Sequence, residues 1–72
     1  MDSKITEFLE LLRDGEWHKQ DEIQKRMNLE KQEFQKIVAF LREYNFVLVE
    51  EVRKTIRIEE NARKFLVQSP NS

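Results

Sequence analysis

The 72-residue chain has no cysteine and a single histidine, glycine, proline and tryptophan, and these scarcities exclude several kinds of protein. Without cysteine there is no disulfide framework, no thiolate metal site and no thiol nucleophile. His18 has no Cys or His companion for holding a metal, and no glycine-rich loop is present to cradle a phosphate. The carboxylate pairs Glu50-Glu51 and Glu59-Glu60 flank strand-like runs and do not converge on a pocket, so the sequence points away from catalysis and implies no cofactor. With one Gly and one Pro there is no linker-like break. One domain is expected over residues 1–67, followed by a polar end at 68–72 expected to be disordered.

Long apolar runs are also lacking. Runs such as Phe46 to Val49 are far short of the roughly 20 residues a membrane helix needs. The N-terminus lacks the basic-then-apolar layout of a secretory signal, so a cytoplasmic protein without a membrane partner is expected. Nor is there an excess of positive charge. Thirteen basic and fourteen acidic residues give a net charge of −1, unlike a general nucleic-acid magnet. The charge is unevenly spread: in residues 1–16, Lys4 and Arg13 stand against Asp2, Glu7, Glu10, Asp14 and Glu16, a net −3 that leaves +2 for the rest.

The chain does have periodicity. Ile5, Phe8, Leu9 and Leu12 recur at i, i+3, i+4 and i+7, which predicts a helix over residues 3–13 with Ser3 as N-cap and Asp14-Gly15 as its stop. Leu11 lies off that stripe and either extends the core or marks a contact surface. Glu16-Trp17-His18 is expected to form a short strand-like bridge, with Trp17 closing one end of the core. A short helix over 20–26 turns Ile23 and Met27 inward, with Lys19 as a poor cap at its start. Asn28 suits a left-handed turn position and Leu29 the apolar plug after it. A longer helix over 31–44 places Phe34, Ile37, Val38 and Leu41 on one face, with Tyr44 at its edge. Its other face carries Lys31, Gln32, Gln35, Lys36, Ala39 and Glu43, and Asn45 ends it.

Residues 46–52 and 55–58 then read as the two strands of a hairpin with Arg53-Lys54 at its tip. Pairing about that tip sets Val49 opposite Ile58 and Glu50 opposite Arg57, with Val47, Val49, Ile56 and Ile58 facing inward. A last helix over 59–67 carries Ala62, Phe65 and Leu66 at helical spacing. The whole is an α+β arrangement organised around two helices and the turn at Asn28-Leu29.

EWHKQDEI followed by NLEKQEFQKIVAFLREYNFV resembles small archaeal winged-helix proteins. The order of elements over about residues 3–66 is similar to a winged helix-turn-helix, with a three-helix core, a β-hairpin wing and a short final helix. The resemblance implies a DNA-binding module of a transcriptional regulator whose partner is double-stranded DNA. Its recognition helix would carry Lys31, Gln32, Gln35 and Lys36 into the major groove, where Gln can pair with an adenine edge and Lys with guanine or phosphate. Arg53 and Lys54 would meet the backbone or the minor groove from the wing tip, and Lys19, Lys25 and Arg26 on the preceding helix would anchor phosphates.

A second class of function stays open beside it, a winged helix that docks on protein as a dimerising or adaptor module. Glu30 stands where these domains usually carry a Ser or Thr cap, Glu33 follows one turn later, and two carboxylates at a helix start repel phosphate. Phe40 replaces the polar or basic residue of many DNA-binding relatives. Leu11 and Phe40 are the candidate partner contacts for that reading, with a homodimer or a second protein as the partner.

Overall fold

The first helix forms where its apolar residues fall on one stripe. The computed structural model describes residues 3–67, and in it α1 spans Ser3–Leu11, with Phe8 within it and Leu12 just past its end fully buried. Ile5, Leu9 and Leu11 pack against the same core, which places Leu11 as an extension of it. Regular helix stops two residues before the expected end. Its last turn tightens through i→i−3 bonds, Leu12 N–H to the Leu9 carbonyl at 3.1 Å and Arg13 N–H to Glu10 at 3.2 Å. Gly15 then turns the chain at φ +78°, and a Cβ there would stand 2.9 Å from Arg63 Nε. That space lets Arg63 Nε donate to the Arg13 carbonyl at 3.0 Å, fastening the end of the chain to its beginning. The expectations for the Ser3 side chain as a cap and for residues 68–72 as a disordered tail lie outside the described residues.

β1 (His18–Lys19) leads into α2 (Gln20–Met27), which buries Ile23 and Met27. Asp21 and Glu22 in its first turn and Lys25 and Arg26 in its last complement the helix dipole, while Lys19 at the N-cap makes no side-chain bond. The turn that follows is closed by Asn28 at φ 54°, its N–H on the Lys25 carbonyl and that of Leu29 on Gln24. Gln24 Nε2 also donates to the Leu29 carbonyl at 3.2 Å, so one side chain holds the buried Leu29 in place. α3 (Lys31–Glu43) then crosses the core with Phe34, Ile37 and Leu41 buried, and the Phe34 ring lies 5.6 Å from that of Phe8. Asn45 at φ 61° ends it, with Phe46 N–H returning to the Leu41 carbonyl at 2.8 Å.

β2 (Val47–Glu50) and β3 (Thr55–Ile58) form an antiparallel hairpin, and β1 pairs with the free edge of β3 to give a sheet of order β1-β3-β2. With α4 (Glu60–Val67), the chain is an α+β fold of four helices and a three-stranded antiparallel sheet. The hairpin register differs from the expected one by two residues. Val47 faces Ile58, Leu48 faces Arg57, Val49 faces Ile56 and Glu50 faces Thr55. The reason is the turn: a two-residue loop at Arg53-Lys54, of type I′ or II′, needs positive φ at its first residue, Arg53, where Gly or Asn is favoured. The observed four-residue loop needs it once, at Lys54 (φ 56°), and the Glu50 carboxylate accepts from the N–H groups of Val52 at 3.0 Å and Arg53 at 2.8 Å. A shift of two keeps every side chain on its own face. Val47, Ile56 and Ile58 are accordingly buried, and Val49 half-buried.

One large side chain lies elsewhere than expected. Trp17 does not close the core: it is 46% exposed, with the Arg57 guanidinium 5.5 Å above its ring. Alternation along β3 points Ile56 and Ile58 inward and Arg57 outward, so the Trp17–Arg57 contact belongs to the outer face. Phe65 is 83% exposed, because Ala62 and Leu66 form the i, i+4 line of α4 that packs on the core. Glu59 precedes that helix as its cap, accepting from Asn61 N–H at 2.9 Å and Ala62 N–H at 3.1 Å. Among the described residues no helix is long and apolar enough to cross a membrane.

Candidate functional site

Because Phe34, Ile37 and Leu41 bind α3 to the core, the opposite face of that helix is presented outward. Lys31, Gln32, Gln35, Lys36, Ala39 and Glu43 are all exposed there. Along one edge of this face, Gln35, Ala39 and Arg42 meet Gln20, the first residue of α2, in a shallow cleft of about 150 Å³. Gln20 in turn holds the hairpin. Its N–H donates to the Lys54 carbonyl at 3.0 Å and its Nε2 to the Thr55 carbonyl at 3.3 Å. Further along, Arg42 Nη1 reaches Glu51 Oε2 in the hairpin loop at 3.1 Å. The outward face of α3 and the tip of the hairpin therefore lie on one side of the molecule, joined by Gln20 and Arg42.

Lys19 belongs to that side as well, although not on the helix where it was expected. It is the second residue of β1, paired with Thr55, and so neighbours the hairpin loop. Lys25 and Arg26 are exposed in the last turn of α2, five and six residues from Gln20 and thus about 8 Å further along the helix axis. The structure brings Lys19, Gln35 and Lys54 together around Gln20 and sets Lys25 apart. Arg53 is exposed in the loop, with only its backbone N–H committed to Glu50.

Acidic groups border this surface. Glu33 is bridged by Lys4 of α1 at 3.3 Å and Glu51 by Arg42, and both pairs are half exposed, so each adds about 0–1 kcal/mol while offsetting a negative charge. Glu30 differs from them. Its carbonyl accepts the first helical bond, from Phe34 N–H at 2.9 Å, but its carboxylate caps nothing.

Phe40 occupies the other edge of the outward face, 44% exposed, with its ring 4.9 Å from Tyr44, which lies 6.4 Å from Phe46. These three rings form a strip facing away from the Gln35–Arg42 edge. Elsewhere, Asp14 joins the turn after α1 to β1. It accepts from the Glu16 N–H at 2.9 Å, and His18 Nε2 lies 2.9 and 3.1 Å from its two oxygens. The Glu16 N–H first, and His18 second, hold the Asp14 carboxyl below its ordinary range. This is a turn contact, remote in sequence from the α3 face. Among the described residues no group of three His, Cys, Asp or Glu side chains is placed to hold a metal.

Gln20, Arg42 and Glu51 are the residues that sequence reasoning passed over. Arg42 was within reach, since it follows Gln35 by seven residues and so shares its side of the helix. Gln20 and Glu51 carry no such signal, because their roles depend on how the hairpin folds back against α2. No protein-family model matches the chain, and comparisons with curated proteins and with solved structures likewise find no match.

Proposed function

We propose that the chain is a winged helix-turn-helix module that binds double-stranded DNA as part of a transcriptional regulator. In this reading α2 and α3 are the helix-turn-helix, α3 enters the major groove, and the β2–β3 hairpin is the wing. The observation that carries it is the placement of Gln32, Gln35 and Lys36 on an exposed helix face that shares one side with Lys19, Arg53 and Lys54. A polar helix face alone is what any amphipathic helix has, and a charged hairpin tip alone keeps an edge soluble. Coupled through Gln20, they form a reading surface flanked by cations.

The roles divide by chemistry. Gln32 and Gln35 are suited to paired hydrogen bonds with base edges, and Lys36 and Lys31 to guanine or phosphate. Arg53, Lys54 and Lys19 fix the orientation of the duplex without reading sequence, and Lys25 supplements them at the margin. Four to six such contacts give a single copy only weak, strongly salt-dependent affinity, roughly 10⁻⁴–10⁻⁶ M at physiological salt.

Glu30 supplies the test. Its carboxylate, which caps nothing, sits at the end of α3 whose N–H groups would meet phosphate. Glu30→Ser removes the charge and provides a cap, so fluorescence anisotropy with a mixed-sequence duplex at low salt should show affinity tightened about 3- to 10-fold. Unchanged affinity would place this helix end away from DNA. The competing reading, a winged helix that docks on protein, is favoured by the exposed strip of Phe40, Tyr44 and Phe46. In that case Glu30→Ser alters stability alone, and the duplex does not bind at low salt.

A further inference from the structure

Beside the aromatic strip lies a groove of about 880 Å³ between α4 and the end of α3, walled by Leu9, Tyr44, Phe46, Ala62, Phe65 and Leu66. At its Phe65 wall an aromatic ring, 83% exposed, stands at the rim of an apolar hollow that it does not fill. Knob and hollow thus occur on one patch. That is the condition for an isologous contact, in which a two-fold axis seats each copy's knob in the other's hollow.

We propose that this groove is the homodimer interface of the chain, with Phe65 of each copy inserted between Leu9, Phe46 and Leu66 of its partner copy. The available area agrees with this. Phe40, Tyr44, Phe46 and Phe65 are 44%, 58%, 37% and 83% exposed. At about 200 Å² per aromatic side chain, they offer about 450 Å² of apolar surface per chain. With every ring fully covered, two copies supply at most about 900 Å², and with the usual apolar share of roughly 60% the ceiling is about 1,500 Å² in all, enough to reach the size range of a standard stable interface.

Charge permits self-association. The Glu59 carboxylate is engaged by its own helix N–H groups, and Glu60 lies 3.7 Å from Arg63, so bringing two copies together opposes no free acidic cluster at these positions. Residues 68–72 are a poor occupant, since Gln68, Ser69, Pro70, Asn71 and Ser72 include no large apolar side chain. The Phe40–Tyr44 strip also lies on the opposite edge of α3 from Gln35 and Arg42, so pairing through it leaves the outward face and hairpin tip uncovered. The dimer does not depend on the DNA reading.

Sedimentation of the full chain without DNA, from about 5 to about 500 µM, should show the 8.8 kDa species converting to twice that mass with a Kd of about 10–100 µM. Phe65→Glu should raise that Kd about 30-fold or more while keeping the monomer's circular dichroism spectrum, because the ring is exposed within its own chain. Val52→Glu, equally exposed at 88% but on the hairpin loop, should leave it unchanged. A chain that stays at 8.8 kDa throughout overturns the proposal, as does a dimer insensitive to Phe65→Glu or equally sensitive to Val52→Glu. A monomer that dimerises only after residues 68–72 are removed would assign the groove to the tail and overturn it too. Loss of DNA binding with the dimer intact would count against the DNA reading alone.

Discussion

Phe8→Ala is expected to lower the melting temperature by about 15–30 °C, enough to leave much of the chain unfolded on modest warming. Phe8 is fully buried and stacks on Phe34 at 5.6 Å with the ring planes 26° apart, so truncation removes both its own burial and the surface against which α3 rests. Replacing a core Phe by Ala costs about 3–5 kcal/mol. A domain of this length has only about 4–10 kcal/mol in total, and a chain without cysteine has no disulfide to offset the loss. Thermal denaturation followed by circular dichroism measures the change directly. A fall of less than about 5 °C would mean that α1 is not the floor of the core.

On the proposed DNA-binding reading, the largest expected effect on binding comes from Lys36→Glu combined with Lys54→Glu. Both side chains are exposed, and Lys54 serves the hairpin through its backbone, by its positive φ and its carbonyl bond to Gln20, so the fold should survive the double change. Reversing one charge on the α3 face and one on the hairpin tip should weaken duplex binding about 30- to 100-fold at low salt. It should also make the plot of log affinity against log salt shallower by about two, one for each phosphate that no longer meets a lysine. Equal affinity for the variant and the parent would separate these lysines from DNA.

Periodicity carried the helices and most of the core. Phe8, Leu12, Ile23, Met27, Phe34, Ile37 and Leu41 follow from spacing alone, because a stripe at i, i+3, i+4 leaves a helix one way to bury itself. Asn28 and Asn45 were legible for a different reason, as residues that tolerate positive φ at the ends of apolar stripes. Where expectation and structure part, the deciding contact is invisible to periodicity. The hairpin register turns on the Glu50 carboxylate binding the N–H groups of its own loop, and a two-residue slip keeps each side chain on its face. Trp17 suits the core by size, yet Arg57, forty residues on, supplies a guanidinium for it to stack on at the outer face.

The candidate site divides in the same way. That Lys31, Gln32, Gln35 and Lys36 face outward was readable from α3 alone, whereas their alignment with Lys54 depends on Gln20, whose backbone bond to the hairpin has no sequence signature. Phe65 shows the limit of pattern reading most plainly. Its spacing from Ala62 and Leu66 marks a helical face, but which neighbour of the i, i+4 line is buried depends on how α4 docks.

DNA binding through α3 and the hairpin is tested most directly by an NMR titration of the labelled chain with a mixed-sequence duplex, first at low and then at moderate salt. Shifts should concentrate on residues 31–36 of α3 and on Arg53 and Lys54, shrinking as salt rises. No shifts at low salt, or shifts centred on Leu11 and α1 that follow protein concentration and not DNA, would contradict DNA binding by this surface.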